Sequence, residues 1–297
     1  MKYPIILSPI PKERVWGGDR LSGSGIHPIG EHWVLSVRPG DNNTVKNGVF
    51  VGRSIDEVFR EHPEYLGRYA GEEKFPLLIK FIDSKESLSI QVHPDDEIAA
   101  RMGGEGGKTE MWYIIDAEPD SYIYFGMKED VDLEDFRRLV LEGEDPTPYL
   151  NKINVKAGDC FFIAGGTPHA IGGGNYICEI QQNCDTTFRM YDYGRPRELH
   201  LAQAALSLKE TESSDERKDN VLASCAYFAS ELISLDGEAE LSAAPDKFIS
   251  LTVISGEGII VLEGVEYPFV ERDSIFIPAG EEKYILRGQA QLIKTIV

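Results

Sequence analysis

Positive charge is what this chain has least of. It carries 30 Lys and Arg against 50 Asp and Glu, a formal net charge of −20. Such a field repels polyanions, so nucleic acid and an anionic membrane surface are poor partners. A small anionic substrate would need a local basic cluster working against the global field. Long apolar runs are also missing: none approaches the ~20 residues that span a bilayer. The opening stretch is broken by Pro4 and Pro9 too early for a secretory leader, so the expected location is the cytoplasm. Cysteine is sparse, and Cys160, Cys178, Cys184 and Cys225 contain no CxxC pair. That argues against a thiolate zinc knuckle and for buried cytosolic thiols.

What is present is a rhythm of short strands. At 297 residues and 42% hydrophobic, the chain can build one large domain or two ordinary ones. Strands are expected at 76–83, 88–93, 111–115, 121–125, 160–164 and 176–182, punctuated by Gly and Pro, as in an antiparallel barrel or sandwich. Helices are few. Ser54-Ile55-Asp56-Glu57 is a capping box that predicts a helix over 54–62. Leu133, Phe136, Leu139 and Val140 share one face of a helix over 132–141, and another is expected at 201–208. The polar stretch 209–220 is a linker or exposed connection. Beyond it, 248–254, 258–262, 274–277 and 292–296 again suggest strands. The expected division is 1–208, a connection at 209–220, and a second β-domain at 221–297.

The two parts share a motif. Gly158-Asp159-Cys160-Phe161-Phe162-Ile163-Ala164-Gly165-Gly166-Thr167-Pro168-His169 aligns with Arg272-Asp273-Ser274-Ile275-Phe276-Ile277-Pro278-Ala279-Gly280-Glu281-Glu282-Lys283 at a constant offset. Each copy is a polar turn, a short buried strand and a Gly turn that delivers one side chain. That residue is His169 in the first copy and Lys283 in the second. A lysine ammonium is a poor metal ligand, so only the first part is expected to hold a metal.

Alternation along 88–93 places Leu88, Ile90 and Val92 on one strand face, and Ser89, Gln91 and His93 on the other. Glu110 opens the run to Ile115. With His169, these residues offer two imidazoles, a carboxylate and an amide, an N/O set suited to a divalent first-row metal with room for a reacting group. Lys108 lies two residues before Glu110 and faces the same way on an extended chain. Arg189, Arg195 and Arg197 are a basic exception in this acidic chain, and guanidinium forks suit phosphate. His27, His32 and His62 are expected in loops or at the surface, and His200 at the start of a helix. Two His and a carboxylate on a β-framework also fit a non-haem iron oxygenase, and a non-catalytic module that binds a phosphorylated ligand is a further reading.

The stretches Val15-Trp16-Gly17-Gly18, 30–36, Pro76-Leu77-Leu78-Ile79-Lys80, Gln91-Val92-His93-Pro94, Lys108-Thr109-Glu110-Met111-Trp112-Tyr113, Gly166-Thr167-Pro168-His169-Ala170 and 187–192 closely resemble the type I mannose-6-phosphate isomerases, in the short bacterial form. The resemblance implies a mainly β fold of two cupin-like barrels of jelly-roll type, the first with small helical insertions. The repeated motif then matches the cupin pattern Gly-x5-Pro-x-Gly-x2-His, with Ala164 in place of the Pro in the first copy, and Arg272 and Lys283 in place of the Gly and His in the second. The second copy is thus a degenerate cupin without a metal site. The resemblance further implies zinc-dependent interconversion of mannose 6-phosphate and fructose 6-phosphate through an enediol, with one Zn²⁺ per chain on His93, Glu110, His169 and Gln91. Lys108 and Arg189 fall at active-site positions, and Glu179 at that of a catalytic-pocket glutamate. The loop 171–175 before Glu179 differs in length from other branches. Arg195 or Arg197 would hold the phosphate. The base is Glu179, another carboxylate or a metal-bound hydroxide. The expected partner is a small sugar phosphate, and the expected state a monomer or weak homodimer.

Overall fold

The computed structural model describes residues 2–22, 28–210 and 219–297. It is mainly β with few helices. The chain forms two compact units, and neither is contiguous in sequence. One gathers Met1–Ile10, His32–Lys80 and Arg217–Val297; the other holds Pro11–Glu31 and Phe81–Glu216. This differs from the expected division into 1–208 and 221–297. Most of the expected connection, 211–218, lies outside the described residues.

The reason for the difference is visible in the first unit. Its C-terminal strands form a sheet ordered Ser274–Ile277, Ile249–Leu262, Lys283–Ile296, Ala229–Ser242 and Val221–Ser224, with Val265–Val270 also on Ile249–Leu262. A bare sheet edge exposes unpaired backbone groups. Here the N-terminal strand Ile5–Leu7 covers one edge by pairing with Ser274–Ile277. Phe59, from the helix Ile55–Glu61, packs on Phe276 with ring centroids 4.7 Å apart. The expected capping box, Ser54 with Glu57, starts that helix.

The second unit carries two antiparallel arrays. One is ordered Leu150–Asn154, Tyr122–Met127, His169–Ile171, Ile90–Val92, Phe188–Tyr191. In the other, Glu110–Ala117 lies between Cys160–Ile163 and Asn175–Gln182. The inner faces share a core containing Ile123, Phe125, Ile171, Trp112, Ile114, Ile163 and Ile177. On the outer face of the first array, Ile90, Val92, Ala170 and Met190 pack with Phe136, Leu139 and Val140 of the helix Leu133–Glu142, and with Ala204 and Ala205 of Leu201–Ser207. Asp132 caps the longer helix by accepting the N–H groups of Glu134 and Asp135.

This layering sets the faces. Ile90 and Val92 point outward under the helices, so Gln91 points inward. Leu88 departs from the expected alternation. The strand begins only at Ile90, and Leu88, ahead of it, belongs to the inner core. Outside a ladder the period of two does not hold.

The repeated motif folds alike in both units. Gly158 N–H donates to Ile114 O and Ile114 N–H to Asp159 O; Arg272 N–H donates to Val253 O and Val253 N–H to Asp273 O. Asp159 caps its turn by accepting Lys156 N–H, and Asp273 by accepting Val270 N–H, each at 2.9 Å. Strands then run Cys160–Ile163 and Ser274–Ile277, and new strands begin at His169 and Lys283.

Candidate metal centre

Strand register assembles the site in two rows. In the first array, His169 pairs with Phe125 on one side and Gln91 on the other, and Gln91 pairs with Arg189. In the second, Glu110 pairs with Ile163 and Gln181. Paired residues point to the same face, so both rows turn their side chains inward.

Glu110 and His169 from these rows converge in the interior with His93, which follows the strand Ile90–Val92. His93 Nε2 and His169 Nε2 are 3.2 Å apart. Glu110 reaches both, Oε2 at 3.6 Å from His93 and Oε1 at 3.5 Å from His169. All three residues are buried. Each imidazole is oriented by a backbone carbonyl: His93 Nδ1 donates to Thr186 O, and His169 Nδ1 to Thr167 O, both at 2.9 Å. Those bonds assign the proton to Nδ1 and leave the Nε2 lone pair as the inward group. Burial pushes the His169 pKa down to about 4, so this ring is neutral at pH 7. Two imidazoles whose Nε2 atoms face each other, with a buried carboxylate across from them, bring three electron-pair donors to one point. A divalent cation suits all three donors, and the donor set fits one.

Gln91 Nε2 lies 3.4 Å from His169 Nε2, which places this amide beside the triad as a fourth polar group. Lys108 is buried with it: Nζ is 2.7 Å from Glu110 Oε2 and 2.9 Å from His93 Nε2. The expected grouping of Gln91, His93, Lys108, Glu110 and His169 is thus brought together.

The remaining expected residues are arranged around it. Arg189 follows Gln91 in the row. Its Nη1 donates to Glu198 O at 2.7 Å, while its Nε is buried with no hydrogen-bond partner. Burial, then the Arg197 charge, pull its pKa below the usual guanidinium range. Arg195 and Arg197 converge on the buried carboxylate of Asp192. Arg197 grips it through two bonds of 2.6 Å, and Arg195 Nη2 lies 2.8 Å from Oδ1 and donates to Ser87 O. Glu179 lies one inward position along its strand from Gln181, opposite Trp112. It is buried and accepts the Trp112 indole N–H at 3.0 Å. The Trp112 ring meets His169 edge-on at 5.3 Å. Glu179 is therefore linked to the triad through Trp112.

Among the weaker histidines, His62 ends the helix Ile55–Glu61 and stacks on Tyr65. His32 lies on a strand, where burial and then Arg272 lower its pKa. His200 immediately precedes the helix Leu201–Ser207, and its Nδ1 accepts the Arg189 backbone N–H. His27 lies outside the described residues. The sequence reading missed Gln181, Asp192, Thr186 and Trp112. Strand parity from Glu179 already points Gln181 inward, and Asp192 sits among the arginines. Thr186 acts through its carbonyl, which no side-chain pattern reveals.

Comparison with known proteins agrees with this geometry. Residues 16–130 match the model for the phosphomannose isomerase type I catalytic domain, and 218–297 match the mannose-6-phosphate isomerase cupin domain. Mannose-6-phosphate isomerase ManA of Bacillus subtilis is 36% identical over 98% of both chains. The chain belongs to the type I mannose-6-phosphate isomerase family. A mannose-6-phosphate isomerase of Streptococcus mutans is 34% identical, covering 99% of this chain and 98% of the relative. The crystal structure of the mannose 6-phosphate isomerase from Bacillus subtilis superposes with a TM-score of 0.86 at 34% identity, over 98% of this chain and 99% of that one. Among this family member's described residues, His93, Glu110 and His169 are the one His/Cys/Asp/Glu group close enough to share a metal ion.

Proposed function

We propose that this chain interconverts mannose 6-phosphate and fructose 6-phosphate, using one Zn²⁺ held by His93, Glu110 and His169 with Gln91 as a fourth ligand. The observation that carries the reading is the convergence of three buried N/O donors beside the buried ammonium of Lys108. The reaction moves a proton between C1 and C2, and negative charge develops on the sugar oxygens of the enediol. A bound Zn²⁺ supplies Lewis-acid stabilisation of that charge, worth several kcal/mol.

The chain's own residues supply the rest. Lys108 adds a fixed positive charge at the reacting oxygens, in an interior where it acts strongly. Arg189 adds a second at the edge of the same row. Arg195 and Arg197 hold the phosphate. Each guanidinium offers five donors, and Asp192 takes two from Arg197 while fixing its direction. Glu179, held by the Trp112 indole, carries the proton between the two carbons.

No helix among the described residues is long and apolar enough to cross a membrane. The proposed site of action is the cytoplasm, as a monomer or weak homodimer. The test is a coupled assay for fructose 6-phosphate formed from mannose 6-phosphate, with and without chelator. Turnover that chelator abolishes and Zn²⁺ restores supports the reading. Binding of the sugar phosphate without turnover, or full activity in verified metal-free protein, refutes it.

A further inference from the structure

His93 is oriented by a turn whose own support lies outside the triad. Gln181 is fully buried directly opposite Glu110. Its side-chain N–H₂ donates to Gln182 O at 2.8 Å and Cys184 O at 2.5 Å. Two carbonyl acceptors fix the amide's direction, because the reversed amide would set oxygen against both. Cys184 continues the path: its buried Sγ accepts Thr186 N–H at 3.4 Å and donates to Gly106 O at 3.2 Å. Thr186 O then receives His93 Nδ1–H. A branch runs to the other side of the site. Gln182 Oε1 accepts Thr109 N–H at 2.8 Å, and Gln182 N–H donates to Thr109 O at 3.1 Å. Thr109 lies between Lys108 and Glu110.

We infer that Gln181 and Cys184 are positioning residues for the metal. They hold the 182–186 turn so that the Thr186 carbonyl keeps His93 protonated on Nδ1 and aimed through Nε2. Packing alone does not account for Gln181. Leucine fills a similar volume without polar atoms, whereas the glutamine leaves its buried Oε1 with no hydrogen-bond partner, an arrangement with a free-energy cost. Partners that orient a metal-bound histidine typically set metal affinity by 10- to 100-fold.

The inference rests on the metal site of the proposed function and not on the sugar chemistry, so its test reads zinc affinity. Full-length protein competes for Zn²⁺ with a chromophoric chelator, and denaturant stability is measured alongside. Gln181→Leu and Cys184→Ala should each weaken zinc binding by roughly 10- to 100-fold. Cys184→Ser should recover most of the loss, because a hydroxyl can make both bonds of the thiol. Ile177→Val, a core position on the same strand as Gln181, should lower stability and leave zinc affinity unchanged. Unchanged affinity in Gln181→Leu overturns the inference, as does an affinity loss that follows stability across all variants. If Gln181→Leu fails to fold, the cysteine pair decides: Cys184→Ser no tighter than Cys184→Ala overturns it. Wild-type protein that takes up no Zn²⁺ overturns both this inference and the metal reading. Zinc-loaded wild type without isomerase turnover removes only the reaction, and the affinity series still decides the turn.

Discussion

The same corner of β-structure occurs twice in this chain, and the two copies differ where chemistry is needed. In the first, Ile163 pairs with Glu110, and His169 opens the next strand. In the second, the motif's Ile277 pairs with Ile249, and Lys283 opens the next strand. The backbone bonds of the turns are matched, including the Asp caps at 159 and 273. A carboxylate has become an isoleucine and an imidazole a lysine. Lys283 is largely exposed and pairs with the surface carboxylate of Glu240 at 3.2 Å, whereas His169 is fully buried. The corner is thus a scaffold that folds with or without a site. The candidate metal site lies in three buried side chains, His93, Glu110 and His169, and in the carbonyls that orient the two imidazoles.

The sharpest way to break that comparison is to remove the donors. His93→Ala or Glu110→Gln should lower isomerase turnover by about 10³ or more by removing a proposed ligand of the charge-stabilising metal. Lys283→Ala, at the matching place in the other copy, should leave turnover unchanged. The coupled assay with zinc analysis reads both, and loss of turnover in Lys283→Ala would erase the distinction between the copies. Next, Arg189→Ala should reduce kcat by about 10²–10³ while zinc stays near one per chain. An unchanged kcat would remove Arg189 from the transition-state machinery.

A third prediction uses pH. The metal-free chain holds His169 neutral down to about pH 4, whereas the unfolded chain protonates it near the ordinary histidine value of 6.5. Between those values the unfolded state binds more protons, so stability falls as pH drops from about 6.5 toward 4. The loss is roughly 3 kcal/mol for this group. Denaturant titrations of metal-free wild type and His169→Gln should show a shallower slope in the variant across that window. Parallel slopes would mean that burial does not hold the ring neutral.

The smallest effect concerns the turn itself. Gly158 has φ +90° and Arg272, its counterpart, φ +71°. A side chain in this left-handed region costs about 1–2 kcal/mol. Gly158→Ala should therefore destabilise by about 1 kcal/mol, and Arg272→Gly should stabilise by up to a similar amount. A raised denaturation midpoint in Gly158→Ala, or a lowered one in Arg272→Gly, would contradict the equivalence of the two turns.

Much of this was legible in the sequence because it follows local rules. Alternation put Gln91 and His93 on one face, the Gly turn delivered His169, and the capping box predicted the helix that starts at Ile55. The family resemblance agrees with the family models and the relatives that match this chain. Leu88 misled because period-two reasoning was extended past the strand's start. The discontinuous units were hidden because edge covering by Ile5–Leu7 is a pairing between residues some 270 positions apart. The support of His93 was hidden for another reason: it runs through the backbone carbonyls of Gln182, Cys184 and Thr186.

The account stands most directly on a count of bound metal. Wild-type chain dialysed against a small excess of Zn²⁺ and analysed by elemental analysis should carry one zinc, and the His93→Ala, His169→Ala double variant should carry none. Two zincs in the wild type, or one retained in the double variant, would contradict the claim that the first copy alone is a metal site.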